Sequence, residues 1–358
     1  MKLRRLEIQN LRVLRTLAIN PSPTLNLFVG PNGGGKTSLL EGIYVLGLGR
    51  SFRTRHIKEA VANDSNGLVA FGELSLEDGR TVCIGVERQR GVSRIRIDGQ
   101  DVHTTSELAR TMPLFMITPH GQWLLAEGAQ QRRKLIDWTL FHVEPAYLAV
   151  LQRYHRVLRQ RNAHLKQASA VGLPAWNQQV GELGEAVHTF RQQYLDTLTP
   201  RFAEILGEFL PVSVDLAYEP GWDVRKTLRE ILTATTGEAR LRGYTSVGPH
   251  RADLQFRVNG IPAQRVLSRG EGKLLILGFL LAQVDCVITS TTKVPILLVD
   301  DFPAELDVES RSRFMRSLAE RKAQTFFTAL SDAAIDVSHW ADAKRFHVKQ
   351  GQVEELAV

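Results

Sequence analysis

The chain has 358 residues, 43% of them hydrophobic and 23% charged, enough for a packed core and, at roughly 100–200 residues per domain, for two domains or lobes. Its two cysteines, Cys83 and Cys286, lie far apart in apolar runs and argue against a disulfide framework or a CxxC metal site. No uninterrupted apolar stretch reaches the roughly 20 residues of a membrane span, MKLRRLEIQN lacks the apolar core of a signal peptide, and a formal charge of +7 favours a polyanionic partner, so a cytoplasmic protein is expected.

From Met1 to about Asp101, runs such as LNLFVG, LVAFGELSLEDGRTVCIGV and SRIRIDGQDV alternate apolar and polar residues around Asp-Gly turns, which predicts a strand-rich start with hairpins. From about Ala129 to Leu210 the period becomes helical. Leu151, Tyr154, Leu158 and Leu165 form one stripe, and Val180, Leu183, Val187, Phe190 and Tyr194 form another. With SAVGLPAW as the turn, the two helices are expected to fold back as a short antiparallel coiled-coil arm, although the same periodicity suits an ordinary helical subdomain. After Tyr244 strand-like runs return in RADLQFRVNG, KVPILLVDD and AQTFFTAL, and this part is expected to complete the N-terminal sheet.

The strongest chemistry follows LNLFVG. Gly30, Gly35, Lys36 and Thr37 fit G-x-x-x-x-G-K-[ST] between a strand and the helix SLLEGIYVLGL, so Gly30, Pro31, Asn32, Gly33, Gly34, Gly35, Lys36, Thr37 and Ser38 form the predicted ATP-binding loop. Backbone N–H groups and the helix N-terminus suit the phosphates, Lys36 reaches the β- and γ-phosphates, and Thr37 suits Mg²⁺. The acidic partner is PILLVDDF, a continuous apolar run ending in two carboxylates, where ligands sit in open α/β sheets. Asp300 is expected to share Mg²⁺ with Thr37, and Asp301 to polarise the attacking water.

Between these two elements lie the strand-rich segment, the arm and the turn LSRGEGK. That order resembles the ABC-type ATPases, whose signature turn precedes the acidic strand and serves the nucleotide of the opposite subunit. Leu267, Ser268, Gly270 and Glu271 match it loosely, with Arg269 in place of a glycine, and Ala304 to Asp307, AELD, looks like the family's D-loop, with Glu305 and Asp307 as its candidates. Within that superfamily the chain resembles the RecF family, relatives of the SMC and Rad50 ATPases. The resemblance rests on LEIQNLR, GPNGGGKTSLLEGIYVLGLGRSFRT, QQRRKLIDWTLFHVEP, GPHRADL, LSRGEGK and LLVDDFPAELD. It implies an α/β ATPase head, taken here as residues 1–128 with 236–358, and an inserted helical arm over 129–235. It also implies ATP with Mg²⁺, a homodimer that forms on ATP, and slow DNA-stimulated hydrolysis. Binding to single- and double-stranded DNA at gaps follows, with RecO and RecR as partners in loading RecA during repair and the SOS response.

Glu271 stands where glutamine is more usual, and a carboxylate near a triphosphate is costly unless it caps a helix or points away. His120 and Gly121 occupy positions where many relatives have acidic residues, and Gln122 is a weak metal candidate. TFFTALSD lacks a switch histidine, with Thr328 the nearest substitute. For DNA, Arg50, Arg53, Arg55 and Lys58 in GRSFRTRHIK form the best phosphate-tracking patch. Arg153, Arg156, Arg159 and Arg161 on the arm are read as solvating it. The alternative function is the nucleotide-binding subunit of a membrane ABC transporter, which would need a surface for a membrane partner. A third reading is a scaffold that binds ATP and hardly hydrolyses it.

Overall fold

The computed structural model describes residues 1–89, 92–118, 128–167, 171–291, 293–301, 306–331 and 335–356. In chain order the elements are β1 (Lys2–Leu11), β2 (Leu14–Ile19), β3 (Leu25–Val29), α1 (Lys36–Leu48), β4 (Gly67–Ser75), β5 (Thr81–Gln89), β6 (Val92–Ile97), β7 (Gln100–Asp101), α2 (Thr105–Thr111) and β8 (Leu114–Ile117). They continue with α3 (Ala129–Val143), α4 (Tyr147–Leu165), α5 (Leu173–Phe209), β9 (Asp215–Glu219), α6 (Leu228–Ala234), α7 (Thr236–Arg242), β10 (Asp253–Val258), β11 (Ile261–Pro262) and α8 (Arg269–Ser290). The last are β12 (Ile296–Val299), α9 (Val308–Glu320), β13 (Thr325–Ala329), β14 (Ala343–Lys349) and β15 (Gln352–Leu356). They form two compact units, Met1–Gly121 with Val287–Val358, and Gln122–Cys286.

The first unit holds two six-stranded sheets. One is antiparallel, in the order β2-β1-β4-β5-β6-β7, and buries alternate residues of β4 and β5, as a sheet with one covered face must. At the expected Asp-Gly turn between β6 and β7, Asp98 and Gly99 have φ of 50° and 77°, the left-handed pair a tight hairpin requires. The second sheet, ordered β15-β14-β3-β13-β12-β8, is parallel from β14 to β8 with β15 antiparallel at its edge. Its inner strands LNLFV, ILLV and TFFTA are buried at every position, the signature of a parallel sheet covered on both faces. Phe28 stacks on Phe346 with ring centroids 4.9 Å apart, which locks β3 to β14. Residues beyond 294 thus complete the N-terminal sheet as expected.

The second unit contains the expected helix pair, and α4 and α5 bury Tyr154, Leu158 and Leu165 together with Val180, Val187 and Tyr194. It is larger than the predicted 129–235 arm: its boundary falls at 286/287, so RADLQFRVNG and the signature turn group with the arm and not with the head. The cause is non-local pairing. β10 is antiparallel to β9, with Asp253 opposite Glu219 and Phe256 opposite Leu216. Arg132 of α3 grips Asp253 with two bonds of 2.8 and 3.0 Å, and Phe202, Phe256 and Phe279 form one aromatic cluster.

One local reading needs correction. Arg161 does not solvate the arm: it is fully buried and donates to Asn177 (2.8 Å), Thr245 (2.6 Å) and the Leu232 carbonyl (3.4 Å). By length and composition α8 could cross a membrane, yet 83% of its most apolar window is buried in the protein. It is a core helix, with Leu275, Leu277, Phe279 and Leu281 all fully enclosed.

Candidate nucleotide site

β3 delivers the chain into the glycine-rich loop, and the hairpin between β14 and β15 forms the loop's floor. A Cβ on Gly30, whose φ is 155°, would lie 2.1 Å from the Val348 carbonyl oxygen, and one on Gly34 would lie 2.7 Å from the same atom. Only glycine allows so close a backbone approach. Gly351 then donates its N–H to the Gly34 carbonyl at 2.8 Å. Helix α1 begins at Lys36, after a left-handed Gly35, and has no acidic residue in its first turn to compete for its unpaired N–H groups. Lys36 is only 6% exposed, and its ammonium donates to the carbonyls of Gly30 (2.7 Å) and Pro31 (3.1 Å), which keeps a buried cation satisfied.

The acidic pair meets this loop in the same unit. β12 ends at Val299, the Asp300 N–H donates to the Ile117 carbonyl at 2.9 Å, and Asp300 Oδ1 accepts the Thr37 hydroxyl at 3.0 Å and the Thr328 hydroxyl at 2.8 Å. Asp301 has a left-handed φ of 45°, a backbone state that costs an ordinary residue about 1 kcal/mol or more, and its N–H donates to Thr328 Oγ1 at 2.9 Å. Burial pushes the Asp301 carboxyl above the usual range; the Lys36 ammonium opposes the rise and the Asp300 charge adds to it. A carboxyl raised in this way is suited to accepting a proton.

Thr37 and Asp300 fit Mg²⁺: a hydroxyl and a carboxylate held side by side, with the hydroxyl bonded to Oδ1, are hard ligands beside a phosphate loop. Among the described residues no group of three or more His, Cys, Asp or Glu could hold a metal by itself. That also suits Mg²⁺, which in phosphate sites takes one or two carboxylates and completes its shell with phosphate and water.

One charged group escaped the sequence reading. Glu41, one turn beyond Thr37 on α1, is fully buried and accepts Arg12 through Nε (3.1 Å) and Nη2 (3.0 Å), Arg53 Nη1 at 3.4 Å, and the Ser51 hydroxyl. The signal was a single carboxylate inside SLLEGIYVLGL, where burial demands a partner. Glu41 therefore anchors the predicted basic loop, which Arg12 also clasps by donating to the Glu59 carbonyl at 2.6 Å. Arg53 serves this anchor. Arg50, Arg55 and Lys58 are exposed and have no ion-pair partner among the described residues.

The signature turn lies in the second unit. Ser268 and Glu271 form a reciprocal cap on α8: the Ser268 N–H donates to the Glu271 carboxylate at 2.8 Å and the Glu271 N–H to Ser268 Oγ at 3.3 Å. Hydrogen bonds from the Ser268 side chain and from its backbone N–H hold the Glu271 carboxyl below its usual range. This accounts for a carboxylate where glutamine was expected. Ser268, Arg269 and Gly270 are exposed, and the Ser268 hydroxyl is engaged within the cap by Glu271. Of the D-loop candidates, Asp307 caps α9 through the Ser310 N–H (2.8 Å) and hydroxyl (2.7 Å). Glu305 lies outside the described residues, as do His120, Gly121 and Gln122.

The family described as RecF/RecN/SMC N terminal domain matches residues 2–352. A curated relative, the DNA replication and repair protein RecF of Shewanella baltica strain OS155, is 41% identical over 357 residues, covering 99% of each chain. A solved structure of the recombination mediator protein RecF with ATP, from the RecFOR pathway, superposes with a TM-score of 0.89 at 25% identity, covering 99% of this chain and 98% of that one. An SMC head bound to the C-terminal winged-helix domain of ScpA, 15% identical, shares the fold with a TM-score of 0.63 over 100% of this chain and 98% of that one.

Proposed function

Since the chain belongs to the RecF/RecN/SMC N-terminal domain family, and within it to the RecF-type DNA replication and repair proteins, we propose that it is an ATP-switched DNA clamp acting at gapped DNA. It is an ABC-type ATPase that binds ATP. One observation carries the switch: Lys36, Thr37, Asp300 and Asp301, separated by more than two hundred and sixty residues of chain, meet at the carboxyl ends of one parallel sheet.

In this reading the β- and γ-phosphates displace the Gly30 and Pro31 carbonyls from Lys36, and the α1 N-terminus takes the remaining charge. Mg²⁺, held by Thr37 and Asp300, neutralises the triphosphate when bound. Asp301 accepts the proton of the attacking water. Ser268, Gly270 and the neighbouring amides donate to the γ-phosphate of a second copy, so ATP joins two chains and ADP releases them. Arg50, Arg55 and Lys58 track DNA phosphates, with RecO, RecR and indirectly RecA as partners in the cytoplasm. End-to-end similarity to DNA replication and repair proteins disfavours the transporter subunit.

Sedimentation of the full chain tests this. With ATP and Mg²⁺ the chain dimerises and carries gapped DNA with it; with ADP it stays monomeric. Dimerisation indifferent to nucleotide, or no DNA in the ATP-dependent species, refutes the clamp.

A further inference from the structure

A hydroxyl at position 328, on the strand next to the acidic one, was read from the sequence as the nearest substitute for a nucleotide-sensing histidine. Its surroundings assign it different work. Thr328 is fully buried on β13, and the parallel register of β12 with β13 runs through Leu298 opposite Phe326 and Val299 opposite Phe327. The next pair in that register would be Asp300 with Thr328, but the ladder has already ended. The Thr328 side chain takes over. An amide N–H can only donate, so the hydroxyl must accept from Asp301 (2.9 Å); its single proton then goes to Asp300 Oδ1 (2.8 Å). Both capacities are thereby fixed, and donation to a γ-phosphate would require Thr328 to release Asp300.

We propose that Thr328 is a positioning residue for ATP hydrolysis, one hydroxyl that fixes both the metal-side carboxylate of Asp300 and the left-handed turn that aims Asp301. This rests on the ATPase reading above. With Thr37 also donating to Oδ1, that oxygen has two hydroxyl donors, while Oδ2 receives none among the described residues. The carboxylate is thus held in one orientation by its protein donors, with Oδ2 left for the cation side. Removing the Thr328 hydroxyl frees the Asp300 carboxylate to rotate and leaves the Asp301 N–H, at its left-handed residue, without an acceptor.

The test uses the full chain as parent, Thr328→Val, Thr328→Ser and Lys36→Met, with ATP affinity measured at equilibrium across Mg²⁺ concentrations and hydrolysis measured in single turnover. Thr328→Val is expected to bind ATP as the parent does without Mg²⁺, to need about tenfold more Mg²⁺ for the metal-dependent gain in affinity, and to hydrolyse about 10²-fold more slowly. Thr328→Ser, which keeps the hydroxyl, restores the Mg²⁺ midpoint and most of the rate. The proposal is overturned if Thr328→Val matches the parent in midpoint and rate, if Thr328→Ser is as impaired as Thr328→Val, or if Mg²⁺-free ATP binding is lost as well. Should Thr328→Val fail to fold, the serine variant decides alone: a displaced Mg²⁺ midpoint despite a retained hydroxyl overturns it. A parent no faster than Lys36→Met instead removes the underlying ATPase reading.

Discussion

Replacing Glu41 by alanine takes away the one acceptor that gathers Arg12, Arg53 and Ser51 around the first turns of α1. The loss can be worked out group by group. Arg12, whose side chain is 24% exposed, loses two charge-assisted bonds, about 2 kcal/mol once its access to water is discounted. Ser51 is buried and loses the acceptor for its hydroxyl, about 1–2 kcal/mol. Arg53 is 43% exposed and 3.4 Å away, so its share is under about 0.5 kcal/mol. The total, about 4 kcal/mol, falls within the roughly 3–5 kcal/mol typical of breaking a buried pair. At roughly 2–4 °C per kcal/mol for a unit of this size, the melt of the first unit should drop by about 8–16 °C. Glu41→Gln keeps shape and an acceptor and should lose about half as much. Thermal unfolding followed by circular dichroism reads the shift, and limited trypsin digestion should cut first at Arg53 and Arg55 as the loop comes free. A melt of Glu41→Ala within about 2 °C of the parent, with the loop still resistant, would refute the anchoring role.

Asp301→Asn should retain ATP binding and ATP-dependent dimerisation while hydrolysis slows by about 10²–10⁴-fold, as for a lost general base; normal turnover would transfer that role to another group. Ser268→Arg should bind ATP as a monomer yet neither dimerise nor hydrolyse, and mixing it with Lys36→Met chains should restore one composite site; no recovery where the parent dimerises speaks against a signature acting across the interface. In the second unit, burial lowers His250 to about 4 from an unfolded value of 6.5, with Tyr154 Oη on Nδ1 (2.6 Å) and the Thr245 carbonyl on Nε2 (3.0 Å). Its contribution is therefore complete above pH 6.5 and fades as pH falls toward 4, a loss of up to about 3 kcal/mol at 1.36 kcal/mol per unit. Denaturant midpoints of His250→Gln between those pH values should be flatter than the parent's, and equal slopes would exclude this histidine.

Elements coded by a few adjacent residues could be read directly. The phosphate loop, the apolar strand ending in Asp300 and Asp301, and the Asp98-Gly99 turn each state their conformation within about ten residues. What escaped depends on partners far along the chain. DLAYE, which becomes β9, is short and ambiguous, yet its pairing with β10 helps to bring residues 236–286 into the second unit. Arg161 was misread even though its spacing held the answer: it falls between Tyr154, Leu158 and Leu165 on one stripe, so its burial follows from position while its charge suggested solvent. Glu271 shows the reverse case. Its place three residues after Ser268 is the pattern of a capping box, which describes it better than its mismatch with glutamine does.

The floor beneath the phosphate loop bears on how the chain is made. Residues 30–38 appear early in synthesis, yet the Val348 carbonyl and the Gly351 amide that fit against them are translated more than three hundred residues later. Both ladder neighbours of β3, β13 and β14, are equally late. On the ribosome LNLFV, apolar but for Asn26 and buried at every position in the fold, therefore waits without a strand partner, an exposure that invites aggregation or chaperone binding. A nascent or prematurely terminated chain that stops short of this hairpin lacks the floor against which Gly30 and Gly34 pack.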